Sequence, residues 1–426
     1  MNKLIPRIDW LTVLLYFLLV FIGWLNIYAA TISDESTGIF NMSQPYGKQL
    51  LFIILSSILI VLILALEVKF YERFSNIFYL LGIISLLGLF LFGKNVNGAT
   101  SWYAIGGITI QPAEFVKTTT ALLIAKHLSN IQTNLNKFKD QFASFLIIAL
   151  PALLIALQPD PGSALVFTAF LFPLHREGLS PLYILIGFIF IVLFVATLIF
   201  GPALVSFSAA IILFIFYSFR KRAEKKVPVF PLFIALIVAI GFSFSVQFIY
   251  DNVFEQRHRD RFSLWLRLEK DPEKLDQIRK TIGYNTYQSE TTIGSGGFTG
   301  KGYLEGTRTK GHFVPEQHTD YIFSTVGEEW GFIGSIVVII LFTVLLLRLI
   351  FLAERQKTSF GRVFGYSITA ILFVHFTVNI GMVIGLLPTI GIPLPFFSYG
   401  GSALWGFTIL LFIFLKVDAN RLNEWK

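Results

Sequence analysis

The chain of 426 residues contains no cysteine, and only 14% of its residues are charged. The absence of cysteine excludes disulfide bonds and every metal site that depends on thiolate ligands, such as a zinc finger. Soluble domains carry about 25% charged residues, so the shortage of charge argues against a soluble fold. The chain is 55% hydrophobic, with 46 phenylalanines and a mean hydropathy of +0.70. This composition predicts a polytopic membrane protein.

Acidic residues are also few: the chain has 26 Asp and Glu but 34 Lys and Arg, which gives a formal net charge of +8. In a soluble protein such an excess would indicate a nucleic-acid partner. In a membrane protein the basic residues mark cytoplasmic loops instead, so we expect no nucleic-acid partner. The N-terminal text MNKLIPR leads into an apolar run without a small-residue cleavage site, which predicts a retained first helix.

Apolar runs that could cross a membrane occur along most of the chain. A spanning helix needs about 20 residues, because each residue adds about 1.5 Å across a hydrocarbon core about 30 Å thick. We predict an all-α transmembrane bundle that forms a single integral membrane domain over residues 1–426. Twelve candidate spans lie at 10–30, 49–66, 76–93, 113–130, 143–157, 162–176, 182–200, 203–218, 229–250, 329–351, 364–387 and 400–416.

The basic residues also predict which loops share a face. With the N-terminus inside, every strongly basic short segment is cytoplasmic, including the run FRKRAEKK at 219–226 and the C-terminal tail. Both termini are therefore predicted to be cytoplasmic. The loops predicted to face outward are 31–48, 94–112, 158–161, 251–328 and 388–399.

Two of the shorter outward loops carry charge beside the membrane. In QPAEFVK, Pro112 suits the first turn of a helix, and Glu114 and Lys117 then share one helical face at i and i+3. Ionisable groups are rare within hydrocarbon, so the two predict either an ion pair that holds helices together or a polar cavity for a charged headgroup. In QPDPGSA, Asp160 lies between two prolines and predicts a helix cap, a cavity lining, or both.

The long loop 251–328 has the densest polar chemistry. Its arginine cluster could hold a phosphate or pyrophosphate, although such clusters also solvate a surface or bind anionic lipid. A carboxylate beside cations is what glycosyl or phosphoryl transfer needs, because the carboxylate takes a proton from the attacking hydroxyl while cations stabilise the departing phosphate. The arginines are Arg257, Arg259 and Arg261, and the carboxylates are Glu269, Asp271, Glu273 and Asp276.

The second half of this loop is rich in glycine. The segment IGSGGFTGKGYLEGT predicts either backbone N–H groups that approach a ligand or tight turns, and it lacks the spacing of a Walker A loop. His318 and Asp320 are residue types that bind metals, but the sequence offers no third ligand at helical spacing. We therefore predict a hydrogen-bonding role for them. Pro388, Pro393 and Pro395 interrupt the last apolar stretch and predict re-entrant backbone.

These motifs together resemble those of the SEDS family of peptidoglycan polymerases, which act in shape, elongation, division and sporulation. The resemblance rests on QPAEFVK, QPDPGSA, IGSGG with GKG, FVPEQHTDYIF and PLPFFSYGGS, spread over residues 97–401, and GKG with GTRTK is similar to the rod-shape-determining, RodA-type branch. The family implies a bundle with ten core spans, whereas hydropathy gives about twelve. We therefore expect residues 182–228 to be an extra helix pair.

The resemblance implies a glycosyltransferase that polymerises lipid II, a disaccharide-pentapeptide on undecaprenyl pyrophosphate, at the outer face of the bacterial plasma membrane. A class B penicillin-binding protein would supply the transpeptidase as part of the elongation machinery. A divalent cation, Mg²⁺ or Mn²⁺, remains open as a cofactor. A lipid II flippase and a non-enzymatic scaffold for the penicillin-binding protein are the alternative functions.

The resemblance also assigns site residues. The family's catalytic aspartate usually precedes a proline in the long outer loop, which here selects Asp271, with Glu269 as the runner-up because this loop is longer and more charged than usual. Ser101 departs from the arginine that the family often has before the tryptophan. The residues assigned to the substrate cavity are Trp102, Gln111, Glu114, Lys117, Asp160, Arg259, Arg261, Gln288, Ser289, Lys301, His318, Thr319, Asp320 and Glu328.

Overall fold

The computed structural model describes residues 7–32, 38–96, 98–106, 108–222, 229–254, 256–269, 271–281, 283–315 and 317–421. In chain order its helices and strands are α1 (Trp10–Thr31), α2 (Pro45–Ala65), α3 (Val68–Phe92), β1 (Lys94–Val96), β2 (Ala99–Ile105), β3 (Ile108–Ile110), α4 (Pro112–Ser129), α5 (Phe138–Ala156), α6 (Pro161–Val166), a 3₁₀ turn (Phe167–Phe170), α7 (Leu171–Arg176), α8 (Leu182–Phe200), α9 (Pro202–Arg222), α10 (Val229–Asn252), α11 (Gln256–Trp265), α12 (Pro272–Lys280), α13 (Tyr284–Ser295), α14 (Thr307–Lys310), α15 (Ile322–Glu329), α16 (Gly331–Glu354), α17 (Ser359–Val383) and α18 (Gly401–Asn420).

Within these described ranges, ten helices are long and apolar enough to cross a membrane, namely α1, α2, α3, α5, α8, α9, α10, α16, α17 and α18. The predicted all-α polytopic membrane fold is therefore confirmed. The chain divides into two compact units, Met1–Leu179 with Asn285–Lys426, and Ser180–Tyr284.

Two of the twelve predicted spans are not among these ten helices. The first is α4, whose buried polar residues, including Glu114 and Lys117, make it less apolar than the others. The second, predicted at 162–176, is divided into α6, the 3₁₀ turn and α7. Pro173 in α7 has no N–H for the bond to the carbonyl four residues earlier, which favours the tighter turn before it.

Several helices begin or end away from their predicted limits. The helix α3 begins at Val68 rather than near residue 76, because its first turns carry polar residues that lower the local hydropathy. The helix α17 begins at Ser359, where the Thr358 side chain accepts the Gly361 N–H at 3.2 Å and caps the first turn. It ends at Val383, before Gly385 adopts a left-handed φ of 73°.

The connection between α3 and α4 contains a three-stranded antiparallel sheet that the hydropathy pattern did not predict. The strand order is β1-β2-β3, with Lys94 opposite Trp102 and Tyr103 opposite Ile110. Two of the strands have only three residues, too few to establish a period of two in the sequence.

In the first unit the polar helix α4 lies among apolar neighbours. It contacts α3, α17 and α18, while α18 also packs against α2 and α16 packs against α17. Most residues of α17 and α18 are buried, whereas α3 and α5 expose most of their apolar side chains. Glu114 and Lys117 of α4 are therefore surrounded by protein, which is where intramembrane charge is tolerated.

In the second unit α8, α9 and α10 pack against one another, and α11 contacts α12. The predicted extra helix pair at 182–228 coincides with α8 and α9, and its last residues, 223–228, lie outside the described residues. Its status as an addition to the family fold stays a prediction. The predicted loop 251–328 contains the helices α11 to α15. Capping sequences such as Asp271-Pro272 start helices inside this polar text.

Candidate functional site

Gln111 connects three helices of the first unit at the start of α4. Its backbone N–H donates to Ser402 Oγ at 3.0 Å, in the first turn of α18. Its side-chain Nε2 donates to Asp160 Oδ2 at 2.9 Å and lies 3.4 Å from Ser163 Oγ, at the start of α6. Two predicted cavity residues, Gln111 and Asp160, are thus brought into direct contact.

Asp160 caps α6 and also reaches the neighbouring helix. Its Oδ1 accepts the Ser163 N–H at 3.0 Å, and Pro161 occupies the first helical position. Its Oδ2 accepts the bond from Gln111. The predicted capping role is confirmed, and the half-buried carboxylate remains in place for a polar cavity, which stays a prediction.

The strand β2 attaches to the chain just before Asp160. The Ser101 hydroxyl lies 3.4 Å from the Gln158 carbonyl, and the buried Gln158 side chain donates to the Leu86 carbonyl at 2.8 Å. Trp102 follows on this strand and is half-buried. The serine that departs from the family pattern therefore contacts the turn between the fifth and sixth predicted spans, and Trp102 is its neighbour on β2.

Glu114 and Lys117 form a closed ion pair in the interior of the first unit. Lys117 Nζ is 2.8 Å from both Glu114 carboxylate oxygens, and the two side chains are 2% and 1% exposed. The same ammonium is 2.9 Å from His375 Nε2 and 4.9 Å from the centre of the Phe407 ring. His375 Nδ1 lies 3.1 Å from the Pro393 carbonyl. The predicted ion pair is confirmed, and the pair is enclosed by protein.

The segment 318–320 packs on the irregular backbone between α17 and α18. The Tyr399 N–H donates to the His318 carbonyl at 2.9 Å, and the two rings are 5.2 Å apart. The buried Asn379 side chain donates to the Asp320 carbonyl at 2.8 Å and to the Ile392 carbonyl at 2.7 Å. The half-buried residues of this segment are His318, Thr319 and Asp320.

The helix α13 is fixed to the same irregular backbone. Ser289 Oγ donates to the Val383 carbonyl at 2.9 Å and is fully buried. Thr286 Oγ1 is 2.8 Å from Thr389 Oγ1 and 3.2 Å from the Tyr321 hydroxyl. These bonds give Ser289 an anchoring role, whereas its contribution to a substrate cavity stays a prediction.

Glu328 organises the segment that contains Lys301. Its fully buried carboxylate accepts from Lys301 Nζ at 2.6 Å, from the Arg308 N–H at 2.9 Å and from the Thr309 N–H at 2.7 Å. The Arg308 guanidinium in turn donates to Gln288. Three predicted cavity residues, Gln288, Lys301 and Glu328, are therefore joined in one hydrogen-bond network.

Two adjacent carboxyl groups outside the spanning helices have opposite pKa shifts. Burial opposes the charge of Glu328, but the bond from Lys301 and the N–H groups of Arg308 and Thr309 outweigh it and lower the pKa of Glu328. Burial, together with the charge of Glu328, raises the pKa of Glu329 to about 7, although the nearby N–H groups of Leu304 and Gly306 act in the other direction. Sequence reasoning did not single out this difference.

The glycines of this segment allow two backbones to approach closely. A Cβ on Gly296 would lie 2.0 Å from the Gly327 carbonyl oxygen, and one on Gly300 would lie 2.2 Å from the Glu329 carbonyl oxygen. The Lys301 N–H donates to the Glu328 carbonyl at 3.0 Å across this contact. These glycines therefore serve close backbone packing, and the predicted approach of their N–H groups to a ligand stays a prediction.

Asp271 and Glu269 lie together in the second unit. Asp271 is exposed and caps α12, because its Oδ1 accepts the Glu273 N–H at 3.1 Å. The Asp271 N–H donates to Glu269 Oε1 at 3.0 Å. The two candidate bases are thus hydrogen-bonded neighbours, and the choice between them stays a prediction.

The predicted arginines lie on α11 in the same unit. Arg259 Nη1 donates to the Asp251 carbonyl at 3.2 Å, and the Tyr250 hydroxyl lies 3.3 Å from the Arg259 carbonyl. Arg261 is half-buried, and the side chain of Arg257 lies outside what the structure describes. A guanidinium has five N–H groups, so Arg259 keeps donors for an anion after this single capping bond.

The part of the chain that the structure describes contains no group of three or more His, Asp and Glu side chains that could hold a metal ion. Mg²⁺ is often held by only one or two carboxylates together with substrate phosphates, so the cofactor stays a prediction.

The predicted site residues fall into both units, and sequence reasoning missed several residues that organise them. Asp271, Glu269, Arg259 and Arg261 belong to the second unit, and the other predicted residues to the first. The missed residues are His375, Asn379, Arg308 and Gln158. His375 and Asn379 were detectable in principle, because polar residues inside a long apolar helix indicate a buried partner.

The fold and the polar networks define a multi-pass helical membrane protein with buried ionisable side chains and broken helices. A family model described as "Cell cycle protein", for FtsW, RodA and SpoVE, matches residues 9–225 and 175–423. The chain belongs to this family.

Curated relatives match the chain over most of its length. It is 31% identical to peptidoglycan glycosyltransferase MrdB of Escherichia coli strain K12, over 89% of this chain and 86% of the relative. It is 30% identical to peptidoglycan glycosyltransferase RodA of Treponema pallidum, over 97% and 98%, and 29% identical to stage V sporulation protein E of Bacillus subtilis, over 96% of each. The predicted family is therefore confirmed.

Solved structures confirm the fold. A chain from a structure titled "Structural coordination of polymerization and crosslinking by a peptidoglycan synthase complex" aligns with a TM-score of 0.71 at 23% identity, over 98% of this chain and 99% of that one. RodA of Thermus thermophilus aligns with a TM-score of 0.59 at 23% identity, over 97% of each chain.

Proposed function

We propose that this chain is a peptidoglycan glycosyltransferase of the rod-shape-determining branch that polymerises lipid II into glycan strands for cell elongation. The observation that carries the proposal is the similarity over nearly the whole chain to relatives named as peptidoglycan glycosyltransferases, at 30% to 31% identity. The exposed Asp271 and its neighbour Glu269 supply the carboxylates that this chemistry needs.

The proposed reaction is a single displacement at a sugar carbon. The Asp271 carboxylate takes the proton of the acceptor hydroxyl, and the resulting oxygen forms a bond to the anomeric carbon of the donor. The bond from that carbon to the pyrophosphate oxygen breaks, and undecaprenyl pyrophosphate leaves with the electron pair. One displacement inverts the configuration at the anomeric carbon.

The departing pyrophosphate needs positive partners. Arg259 and Arg261 belong to the same unit as Asp271, and guanidinium groups bind phosphate oxygens with two parallel hydrogen bonds. We assign this stabilisation to the two arginines and assign no step to a metal ion. A divalent cation would add positive charge beside the same pyrophosphate.

The proposal also includes the surroundings of the enzyme. The basic loops predict a bacterial plasma-membrane protein with both termini in the cytoplasm and the loop 251–328 outside. A structural neighbour comes from a complex described as coordinating polymerisation with crosslinking. This supports a class B penicillin-binding protein as the partner within the elongation machinery.

The test is polymerisation of purified lipid II by the full chain, with and without a class B penicillin-binding protein. We expect Asp271→Asn to abolish polymer, because the amide cannot take the proton, while the parent makes long glycan strands on a gel. Glu273→Gln is the matched control, since Glu273 is exposed two residues further along α12 and should polymerise at the parent rate.

Three other results would change the proposal. Loss of polymer with Glu269→Gln and retention with Asp271→Asn would move the base two residues upstream. An inactive parent that nevertheless moves labelled lipid II across vesicles would replace the polymerase with a flippase. An inactive parent that binds the penicillin-binding protein and moves no lipid II would replace the polymerase with a non-enzymatic scaffold.

A further inference from the structure

His375 joins two parts of the predicted site that are far apart in the sequence. It lies on α17, is fully buried, and contacts Lys117 of α4 through Nε2 at 2.9 Å. Its Nδ1 lies 3.1 Å from the carbonyl of Pro393, in the irregular backbone between α17 and α18. The imidazole thus bridges the buried ion pair and the segment 388–400.

The contacts determine which ring nitrogen carries the proton. The Lys117 ammonium can only donate, so His375 Nε2 accepts, and the remaining proton of a neutral ring is on Nδ1. The Pro393 carbonyl can only accept, which matches a donating Nδ1–H at 3.1 Å. Both ring nitrogens are therefore used, and a second proton would leave two donors facing each other.

Lys117 needs this acceptor. Its three N–H groups have three acceptors, the two Glu114 oxygens at 2.8 Å and His375 Nε2 at 2.9 Å. The Lys117 side chain is only 2% exposed, so water cannot replace a lost partner easily. An unpaired donor of a buried charge is strongly unfavourable, so removal of the imidazole would let the ion pair rearrange.

The segment 388–400 likewise needs the hydrogen bond that His375 Nδ1–H donates to the Pro393 carbonyl. Irregular backbone at membrane depth is tolerated only where protein or water satisfies its polar groups. This segment also receives the Asn379 bond at the Ile392 carbonyl and donates from the Tyr399 N–H to the His318 carbonyl. A displacement at Pro393 would therefore reach the predicted cavity residues at 318–320.

We propose that His375 is a positioning residue that fixes the Glu114–Lys117 pair to the segment 388–400 and so sets the geometry of the lipid II site. The inference rests on the proposed function. It assigns His375 no contact with the reacting atoms. Misplacement of a site by about 1 Å can lower a rate by about 10²-fold, so the loss of a buried bridge has a large effect on turnover.

The first test compares two substitutions of similar size. His375→Gln keeps an acceptor for Lys117 and a donor for Pro393, whereas His375→Leu keeps neither. We expect His375→Leu to lower kcat for lipid II polymerisation at least tenfold and His375→Gln to stay within about threefold of the parent. A thermal unfolding transition close to that of the parent shows that both variants are folded. His175→Leu is the control, because His175 is exposed and bonds to the nearby Leu179 carbonyl.

The second test asks whether His375 acts through Lys117. If it does, His375→Leu should cause no further loss in a Lys117→Met protein, since the partner is already gone. Parent activity in His375→Leu, or a multiplied loss in the double variant, would overturn the inference. Equal loss in His375→Gln and His375→Leu would also overturn it.

A third measurement does not depend on activity. In ¹⁵N-histidine NMR of the full chain, the resonance that disappears in His375→Gln should have a protonated Nδ1 and an unprotonated Nε2. Its Nε2 shift should change in Lys117→Met. A resonance with the opposite tautomer would contradict the bridge even if the parent made no polymer, and an inactive parent with the expected tautomer would count against the proposed function alone.

Discussion

At the residue scale, the buried pair Glu114–Lys117 is expected to stabilise the fold only as a pair. Loss of one partner from a buried ion pair costs about 3–5 kcal/mol, because the other charge stays buried without compensation. We expect Glu114→Gln to lower the unfolding temperature of the purified protein markedly. The double variant Glu114→Gln with Lys117→Met removes both charges and should unfold at a higher temperature than the single one.

The control for this prediction is an exposed pair of the same kind. Asp276 and Lys280 are bonded on α12 with side chains 59% and 72% exposed. Exposed pairs contribute about 0–1 kcal/mol, so Asp276→Asn should leave the unfolding temperature nearly unchanged. Equal effects of the buried and the exposed substitution would show that the interior pair is hydrated in the membrane protein.

Glu329 gives a second residue-scale prediction, on pH. Burial raises its pKa from the ordinary 4.5 to about 7, so the folded chain binds this proton more tightly than the unfolded chain does. The stability contributed by the proton is complete below pH 4.5 and is lost as the pH rises through about 7. Each tenfold change in proton affinity, which is one pKa unit, corresponds to roughly 1.4 kcal/mol of unfolding free energy. Because solvent screening reduces the sum over the whole shift, the expected loss is about 2 kcal/mol.

The measurement compares the parent with Glu329→Gln, whose side chain stays neutral at every pH. We expect the variant to gain unfolding temperature over the parent as the pH is raised from 5 to 8. Groups that do not interact with Glu329 titrate equally in both proteins, so the difference between them isolates Glu329 together with its coupling to Glu328. A difference that is constant over this range, or that shrinks as the pH rises, would exclude the raised pKa.

The residues that sequence reasoning identified are those whose partners are close in the chain. Glu114 and Lys117 are three residues apart on one helix, and Asp160 caps the helix that begins at the next residue. His375 is 258 residues from Lys117, so no local pattern connects them. An isolated polar residue in an apolar helix indicates that a partner exists without identifying it.

At the scale of elements, the glycine-rich segment after α13 is expected to be fixed by backbone contact. A Cβ on Gly296 would lie 2.0 Å from the Gly327 carbonyl oxygen, which belongs to α15 and cannot move aside like a flexible side chain. We expect Gly296→Ala to destabilise the protein by about 1–3 kcal/mol, the usual range for overpacking.

Gly294, two residues earlier in α13, provides the matched control. Nothing lies within 4 Å of a Cβ placed there, so Gly294→Ala should be neutral or slightly stabilising through its higher helix propensity. The two variants are to be compared by thermal unfolding in the same detergent. If both behave alike, the segment does not make the close contact with α15.

Hydropathy predicted the long apolar helices well and the remaining elements poorly. Long helices such as α8 and α16 are defined by many residues of one kind, so errors at single positions have little effect. The helix α4 is held by its neighbours rather than by its own hydropathy, and the strands β1 and β3 have too few residues for a period. Contacts with distant parts of the chain determine whether such elements form, and a local sequence pattern carries no information about those contacts.

At the scale of the whole molecule, the fold was more predictable than the site. Similarity over nearly the full chain defines the family, and ten apolar helices in the described ranges define the architecture. The predicted site residues are joined by contacts between distant segments, such as α4 with α17 and α13 with the backbone after α17. The predicted site residues fall in both compact units, so the assignment of Asp271 as the base stays a prediction that the polymerisation assay tests.

The predicted orientation gives the last prediction, and the absence of cysteine makes it a clean experiment. Single cysteines introduced into this chain are its only thiols, so labelling by a membrane-impermeant maleimide reports one position at a time. Phe40 and Glu273 are exposed in predicted outer loops, and Ile131 is fully exposed between α4 and α5 on the predicted cytoplasmic side. We expect Phe40→Cys and Glu273→Cys to be labelled in intact spheroplasts and Ile131→Cys only after permeabilisation. The reverse pattern would place Asp271 in the cytoplasm, away from a reaction on the outer face, and would contradict both the orientation and the proposed polymerase.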